Sequence, residues 1–478
     1  MKILFVAMAE SIHTARWINQ ITGQGWDVSL FPSTDSYIVR PELDSKVHIH
    51  QPYFVQKLNK SQWFLTHFSL LARAFYQMKY LIFHQLDLLN YRERIISKLN
   101  KIIVEEKPDI IHSMEFQHAG YLVSDVKKKF LGKFPTWIVT NWGSDIYWFK
   151  QFPDHEKKIK DILENADYYS AECNRDVCLA KDLGIKSKIL PVLPNTGGFD
   201  LERLKLLRST KTSDRKIIML KGYHGWAGRA LIGLQALLQC QKELKGYRIV
   251  LYSVSADSGV GQAAKEFTFK TGIPTEIIPT NSPHYCLLEY HAQARISIGL
   301  SITDGASVSL LEALTMGSFP IQSNTACTED WFENGKTGLV VPPENVYLVA
   351  KAIRRALGDD QLVDQAAKMN WLTVKEKLDQ TKLTQEVVQM YQTIFKTLKL
   401  DQSLNPIAIQ KKINFSTSEF LLVLWFIIII VAWIYLMIIY GIQKLHLFGV
   451  NVPFQNLTTE GGQWLWGSDW SKYLLFKK

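Results

Sequence analysis

The first half of the chain alternates short apolar runs with longer amphipathic stretches. Continuous apolar runs are typical of strands buried on both faces of a parallel sheet, and apolar residues three or four positions apart predict helices between them. Strands are predicted at 2–9, 27–32, 109–113 and 136–140. This alternation predicts a doubly wound α/β domain.

A second alternation follows a break in the pattern. Residues 191–200 are rich in proline and glycine, and the polar run 208–215 is typical of a linker. Further strands are predicted at 217–220, 247–254, 275–278, 296–302 and 319–322. The fold class is therefore α/β with two Rossmann-like domains, 1–205 and 213–375, whose carboxyl edges face a common cleft.

The carboxyl-terminal part has a different character. Residues 420–440 are 21 positions without a charge, close to the roughly 20 residues that cross a bilayer, so a transmembrane helix is predicted at 418–442. Lys411 and Lys412 precede it and Lys444 follows it, which favours a single pass with the preceding domains in the cytoplasm. The tryptophan-rich tail, 443–478, is expected along the outer membrane interface.

Composition narrows the possible partners. The formal charge of +10 indicates an anionic partner, such as a phosphorylated substrate or an acidic membrane. No basic stripe with a nucleic-acid reader motif occurs, so nucleic acid is not expected. The five cysteines have neither metal-ligand spacing nor a disulfide-framework pattern, which fits a reducing compartment.

Two carboxylates lie across a predicted helix start in the second domain. The helix 307–316 follows the strand 296–302, and Asp304 and Glu312 stand eight positions apart. At about 1.5 Å per helical residue they lie roughly 10 Å apart, so one carboxylate can bind hydroxyls of a sugar and the other a ribose diol. The plain alternative is a capping aspartate and a solvated glutamate.

Small residues at the same helix start favour an anion. Gly305, Ser307 and Ser309 let a phosphate approach the free amides and the positive end of the helix dipole. A ligand with both sugar and phosphate groups fits this pattern.

A glycine-containing loop follows the strand 217–220. It runs from Lys221 and Gly222 to Arg229, and its glycines allow backbone amides to approach a diphosphate whose charge either cation neutralises. A tight structural turn is the alternative.

The 304–312 segment resembles the acidic motif of retaining glycosyltransferases of the GT-B fold, family 4 (glycosyl transferases group 1), with Asp304 in place of the usual glutamate. Ser11, His13, Arg16 and Trp17 resemble the Ser-x-His-x-x-Arg-Trp opening of a branch of that family. The resemblance extends over about residues 1–398.

The resemblance implies a nucleotide-sugar donor in the second domain and an acceptor on the first. It carries the diphosphate role chiefly to Arg229 and the donor-binding role to the segment around Glu312. It places Ser11, His13, Arg16, Glu115 and Asp145 at the acceptor side of the cleft, with His118, Asp304 and Arg229 closest to the chemistry. It also implies a helix at 376–400 that returns to the first domain, and it implies no metal and no cofactor besides the donor.

The expected protein is a membrane-anchored retaining glycosyltransferase that acts on a membrane-associated glycan or glycolipid in polysaccharide or cell-envelope biosynthesis. Two alternatives stay open: a nucleotide-sugar 2-epimerase of similar fold, and a catalytically inactive, membrane-tethered subunit of a glycan assembly complex.

Overall fold

The computed structural model describes residues 1–34, 38–50, 91–280 and 282–404. The predicted transmembrane helix 418–442 and the tail 443–478 lie outside these residues. Among the residues that are described, no helix has the length and apolar character needed to cross a bilayer.

The first domain contains a parallel sheet of seven strands within the described residues. They are β1 Lys2–Ala7, β2 Asp27–Pro32, β3 His48–Ile49, β4 Ile110–Met114, β5 Thr136–Asn141, β6 Tyr168–Ala171 and β7 Lys188–Ile189. Their order is β3-β2-β1-β4-β5-β6-β7, so the winding direction reverses between β1 and β4. Ligands bind at such switch points, beyond the carboxyl ends of the strands.

The second domain repeats this plan with six parallel strands. They are β8 Ile217–Lys221, β9 Arg248–Tyr252, β10 Thr275–Ile277, β11 Ala294–Gly299, β12 Phe319–Ser323 and β13 Leu339–Val341. The order β10-β9-β8-β11-β12-β13 places the switch point between β8 and β11. The loops with Lys221 and Asp304 leave the sheet at that point.

Helices cover both sheets. In chain order they are α1 Ile12–Asn19, α2 Tyr91–Glu106, α3 Tyr121–Lys129, α4 Pro153–Asn165, α5 Asn174–Asp182, α6 Leu201–Lys205, α7 Ala230–Gln239, α8 Val260–Thr271, α9 His284–Gln293, α10 Val308–Met316, α11 Val346–Gly358, α12 Asp360–Lys377 and α13 Gln380–Leu404. Two Rossmann-like α/β domains were predicted, and this part of the fold is confirmed.

Four strands escaped the sequence analysis. The strands β3, β6, β7 and β13 have between two and four residues. Such short runs do not develop an apolar pattern that stands out from a loop. Missing β6 had a consequence, because the loop after it carries residues that reach the cleft.

The helix α13 returns to the first domain. The backbone of Phe199 donates to Leu378 O at 2.8 Å and accepts from Gln380 N at 3.1 Å just before this helix. Its apolar face then packs into the core around β1, through the side chains of Leu383, Val387, Met390, Tyr391 and Ile394. The first domain's core is therefore completed by residues nearly two hundred positions beyond its last strand.

A buried polar chain joins α13 to the first sheet. Trp17 donates its indole N–H to Tyr391 Oη at 2.9 Å, and Tyr391 Oη lies 2.5 Å from His112 Nδ1. His112 Nε2 lies 2.6 Å from Thr140 Oγ1. Burial lowers the pKa of His112 to about 3, so the ring is neutral. Because the indole of Trp17 can only donate, Tyr391 Oη accepts from it.

Replacing Tyr391 with phenylalanine removes the hydroxyl that serves both partners. Each of the two buried groups left without a partner costs about 1–3 kcal/mol, so we expect Tyr391→Phe to lower the free energy of unfolding by about 2–6 kcal/mol. Urea unfolding followed by tryptophan fluorescence measures the change. Tyr347→Phe, at a tyrosine that is 65% exposed, is the matched control, and equal stability of both variants would contradict the prediction.

Candidate active site

The loops that follow β5 and β11 touch through their backbones. A Cβ atom on Gly143 would lie 1.8 Å from the nitrogen of Gly305 and 2.4 Å from the carbonyl carbon of Asp304. The Thr303 hydroxyl also donates to Ser144 Oγ at 3.4 Å. No side chain fits between these loops, so glycine is what allows the carboxyl edges of the two sheets to meet at one cleft.

Asp304 is the carboxylate nearest this contact. Its Oδ1 accepts from the backbone of Gly305 at 3.0 Å, and its Oδ2 lies 3.4 Å from Lys221 Nζ. Both partners of the ion pair are partly exposed, at 21% for the Lys221 side chain and 26% for that of Asp304. The switch point of the second sheet thus offers one acid and one cation to a ligand.

Glu312 lies inside α10 and is buried. His284, at the start of α9, places Nε2 2.6 Å from Glu312 Oε1, and His291 places Nε2 3.9 Å from Oε2. Burial alone raises the pKa of Glu312, but the hydrogen bond and charge of His284, followed by the charges of His291 and Arg16, outweigh it. The net pKa lies below the ordinary value, so this buried carboxyl is ionised.

The histidine beneath Glu312 is part of a polar chain. His291 Nδ1 lies 2.9 Å from Ser297 Oγ, which lies 2.7 Å from Ser318 Oγ. Burial lowers the pKa of His291 to about 4, although Glu312 raises it in part. His291 is therefore held by Ser297, with its neutral form favoured, and it lies next to Glu312 without a hydrogen bond to it.

The loop after β1 brings its predicted residues to the same place. Ser11 Oγ accepts from His13 N at 3.2 Å and so begins α1. Burial and the neighbouring Arg16 lower the pKa of His13 to about 4, while Asp304 and Glu312 raise it in part. Burial lowers the pKa of Arg16, and Glu312 counteracts this. The two domains therefore interact electrostatically across the cleft.

The loops after β4 and β5 are fastened to each other by Asp145. Its Oδ2 accepts from the backbones of Phe116 at 2.9 Å and Trp142 at 2.7 Å. Burial, with the charge of Glu115, raises the pKa of Asp145 well above its usual range. Asp145 holds the cleft loops in shape, and its predicted contact with an acceptor stays a prediction.

Glu115 caps a short π-helical turn, Phe116–Gly120. It has a φ of 76°, a strained value for a residue with a side chain, and its Oε1 accepts from His118 N at 2.8 Å. His118 Nδ1 lies 3.3 Å from Glu115 Oε2. Burial lowers the pKa of His118, but the hydrogen bond and charge of Glu115 outweigh it, and the net pKa is raised. His118 is thus a partly exposed, readily protonated group at the cleft edge.

The side chain of Arg229 makes its contacts within its own loop and with Glu344. Its Nε lies 2.8 Å from Glu344 Oε1, and its Nη1 donates to carbonyl oxygens of its own loop, among them Gly228 O at 3.0 Å. The guanidinium therefore stabilises the loop, and the cation that stands beside Asp304 is Lys221. The diphosphate role that was assigned chiefly to Arg229, with Lys221 as the second cation, stays a prediction.

The glycine loop is paired rather than open. The amide of Gly222 donates to Tyr252 O at 2.7 Å, and a Cβ there would lie 2.3 Å from Val254 Cγ2. Backbone bonds from Arg229 N to Leu300 O and from Ile302 N to Ala227 O, both 2.9 Å, tie the loop to the end of β11. Gly222 is closely packed and its amide is paired, and its predicted contact with the donor stays a prediction.

The start of α10 keeps the features expected of an anion site. Ser307 precedes the helix without a side-chain cap, and the first turn contains no acidic residue. Ser307 Oγ and Ser309 Oγ lie 3.0 Å apart, and the Ser309 hydroxyl also bonds to Tyr252. With Gly305 before it, this helix end combines small residues, hydroxyls and backbone amides.

Two groups within the described residues bring three potential metal ligands together. His48, His50 and Glu106 lie at the edge of the first sheet, away from the cleft loops. The second group contains Cys173 and Cys327, whose sulfur atoms are joined in a disulfide. The absence of a metal requirement therefore remains a prediction.

The disulfide was not foreseen. Cys173 follows β6 in the first domain and Cys327 follows β12 in the second, 154 positions later. Nothing in the local spacing of the cysteines signals this pairing, because only the meeting of the two domains brings them together. His284 escaped notice too, although its place after β10 at the carboxyl edge of the sheet was an available signal.

Two family models match segments of the chain. The model described as glycosyl transferases group 1 matches residues 271–370, and the model described as glycosyl transferase 4-like matches residues 83–172. The first segment contains Asp304, Glu312 and His284, and the second contains Glu115, His118 and Asp145. No curated relative matches the chain.

Solved structures share the two-domain fold. Sucrose-phosphate synthase from Thermosynechococcus elongatus is 14% identical with a TM-score of 0.57, and the alignment covers 83% of this chain and 100% of that one. HepE of Anabaena in complex with UDP-glucose is 13% identical with a TM-score of 0.56, over 82% and 100% of the two chains. A UDP-forming trehalose-phosphate synthase from Burkholderia xenovorans is 12% identical with a TM-score of 0.58, over 82% and 100%.

The two doubly wound domains that meet at one cleft define the GT-B class. The chain is a glycosyltransferase with this fold, and its segment 271–370 matches the group 1 model.

The contact between the cleft loops can be tested at Gly143. We expect Gly143→Ala to abolish most glycosyl transfer, because the added methyl overlaps backbone atoms of Asp304 and Gly305 and forces the loops apart. Initial rates and the thermal midpoint measure the effect. Gly23→Ala is the control, since a Cβ at Gly23 meets nothing within 4 Å, and wild-type rates in Gly143→Ala would argue against a tight contact.

Glu172 makes the stability of the folded protein depend on pH. It is buried beside Gly305, its Oε1 accepts from Asn195 N at 3.3 Å, and burial together with the charge of Asp304 raises its pKa from 4.5 to about 8. Between these values the folded protein keeps the proton and the unfolded chain loses it. The contribution of Glu172 to stability therefore falls as pH rises, by at most about 1.4 kcal/mol per pH unit.

Glu172→Gln replaces the protonated carboxyl with a neutral amide. We expect the variant to gain stability relative to the wild type as pH rises from 5 to 8, measured as urea midpoints at several pH values. Glu376→Gln, at an exposed residue of α12, should differ from the wild type by a constant amount. A constant difference for Glu172→Gln as well would refute the assignment.

Proposed function

We propose that this glycosyltransferase is a retaining enzyme that moves a sugar from a nucleotide-sugar to a membrane-associated acceptor, in polysaccharide or glycolipid biosynthesis. The donor part of this proposal is carried by Glu312, which lies eight positions beyond Asp304 and is buried and ionised. His284 holds its carboxylate through a contact of 2.6 Å. An ionised carboxylate in a dry site binds paired hydroxyls strongly, as a ribose diol requires.

The remaining donor groups find partners in the same loop and helix. The diphosphate lies at the amino end of α10, where free amides, the helix dipole and Lys221 stabilise negative charge. The transferred sugar then lies near Asp304, whose carboxylate accepts hydrogen bonds from sugar hydroxyls. As the bond to the leaving diphosphate breaks, these groups stabilise the growing charge, which is the main catalytic contribution we assign to the second domain.

The first domain supplies the acceptor side. His118, with its raised pKa and partial exposure, is placed to hydrogen-bond an acceptor or sugar hydroxyl, and His13 and Arg16 complete that wall. The carboxylates of Asp145 and Glu115 are already engaged by backbone amides. Their engagement supports a retaining reaction that depends on positioning and charge stabilisation more than on a strong carboxylate base.

The donor base and the acceptor class are proposed from two further observations. HepE of Anabaena was solved with UDP-glucose, so uridine diphosphate sugars are the first donors to test. The uncharged stretch 420–440 supports a tether that keeps the catalytic domains on the cytoplasmic face, near a lipid-linked acceptor.

The donor site can be tested with the full-length protein in detergent. One nucleotide-sugar of a panel is expected to raise the melting temperature, since a ligand at 100 times its Kd adds about 2.7 kcal/mol to the stability of the folded state. Glu312→Gln should remove the effect and Glu376→Gln should retain it. Stabilisation that persists unchanged in Glu312→Gln would disprove the donor site.

The same panel then separates the possible reactions. Transfer with retained anomeric configuration to a lipid-linked acceptor in membranes supports the proposal. Conversion of the donor without any acceptor would indicate an epimerase instead. Equal turnover of a soluble acceptor by a chain ending at Leu404 would refute the proposal that the acceptor is associated with the membrane.

A further inference from the structure

Consecutive residues after β6 reach from the first domain into the second. Cys173 is bonded to Cys327, with the Cα atoms 6.2 Å apart, and both side chains are buried. The next residue, Asn174, donates from its backbone at 2.8 Å and from Nδ2 at 2.9 Å to the two carboxylate oxygens of Asp330. Together with Glu172 and Arg175, these residues form a segment, 172–175, that we call the clamp.

Arg175 is the part of the clamp that reaches the reacting loops. Its Nη1 donates to Thr325 O at 2.8 Å, and its Nη2 donates to Asp304 O and to Gly143 O, each at 3.0 Å. One planar guanidinium therefore spans the cleft loop of the first domain and two loops of the second. A lysine cannot do this, because its single ammonium lacks the fixed fork of donors.

Arg175 is itself held rigidly on the first domain. Its Nε donates to Asp176 Oδ1 at 2.9 Å, and Asp176 Oδ2 accepts from Asn141 Nδ2 at 2.8 Å at the end of β5. The guanidinium also stacks on the ring of Tyr147, 4.0 Å from its centroid. An arginine fixed on three sides transmits the position of the first domain to whatever it binds.

We propose that Arg175 is a positioning residue for the transfer reaction, because it ties Asp304 to the first domain. In the same proposal, the Cys173–Cys327 bond closes the clamp covalently when the protein is oxidised. The catalytic part rests on the proposed function, because Asp304 is the residue assigned to the transferred sugar. Donor binding through Glu312 and Lys221 is contained in the second domain, whereas the approach of the acceptor requires both domains.

Closure of the bond is a thiol–disulfide exchange. The thiols of Cys173 and Cys327 react with one molecule of a small disulfide, such as oxidised glutathione, to give the protein disulfide and two small thiols. Reduction reverses the exchange and leaves the clamp to its hydrogen bonds.

The positioning role is tested by steady-state kinetics of Arg175→Ala. Misplacement of reacting groups costs up to about 100-fold, so we expect kcat to fall by 10- to 100-fold while the donor Kd changes less than about threefold. Arg175→Lys should be impaired as well, and free guanidinium ion should restore part of kcat in Arg175→Ala but not in the wild type. A wild-type kcat in Arg175→Ala would overturn the proposal.

A matched control separates this effect from general loss of an arginine. Arg248 also lies over a tyrosine ring, that of Tyr290, and pairs with Glu276, but it begins β9 at the opposite edge of the second sheet. Arg248→Ala should keep the wild-type kcat. A fall in kcat equal to that of Arg175→Ala would show that the loss is structural and would count against the clamp.

The clamp has a readout that does not depend on activity. In full-length protein equilibrated with oxidised glutathione, peptide mapping should find Cys173 linked to Cys327, and hydrogen exchange should show protected amides at 303–305 and 325–330. Reduction, Cys173→Ser and Arg175→Ala should each reduce that protection, whereas Cys178→Ser, at an exposed free cysteine, should not. Absence of the link, or protection that reduction leaves unchanged, would refute the covalent closure.

The two failures are distinguishable. If the wild type transfers sugar from no donor, the proposed function fails, and exchange protection alone then decides whether the clamp exists. If the wild type is active and Arg175→Ala matches it, the clamp fails while the proposed function stands.

Discussion

The architecture of the site depends on a backbone contact between Gly143 and Gly305. A side chain at either position would separate the loops that follow β5 and β11, and with them the carboxyl edges of the two sheets. Each sheet alone offers only half of a cleft, since Asp304 and Lys221 of the second domain interact with His13 of the first. Because Gly143 and Gly305 have no side chains, the two domains come close enough to form one site.

Burial then sorts the charges of the cleft. The carboxyl of Glu312 stays ionised because His284, His291 and Arg16 together outweigh its desolvation. Glu172 and Asp145 lack comparable partners, and their pKa values rise. The neighbours of a buried carboxyl thus decide whether its charged or its neutral form is favoured. The difference lies in the neighbouring histidines and arginine.

The second domain's glycine loop shows how a binding motif and a packing motif can share residues. Gly222 and Arg229 belong to the loop that was predicted to bind a diphosphate. In this structure the amide of Gly222 and the guanidinium of Arg229 donate hydrogen bonds to backbone carbonyl groups of the protein. Lys221 Nζ lies 3.4 Å from Asp304 Oδ2, and both side chains are partly exposed to solvent. The amino end of α10 supplies the rest of the positive potential.

The sequence by itself determined the two α/β domains, the long strands and the acidic pair Asp304 and Glu312, because each is encoded in residues that are close together along the chain. Hydrophobic period, a glycine after a strand and a fixed spacing across a helix start are all local signals. The tertiary structure alone decided what surrounds those residues. His284 reaches Glu312 from 28 positions away, and Arg175 reaches Asp304 from 129 positions away. Cys327 meets Cys173 only because two domains close on each other, and contacts of this kind leave no periodic trace in a single sequence.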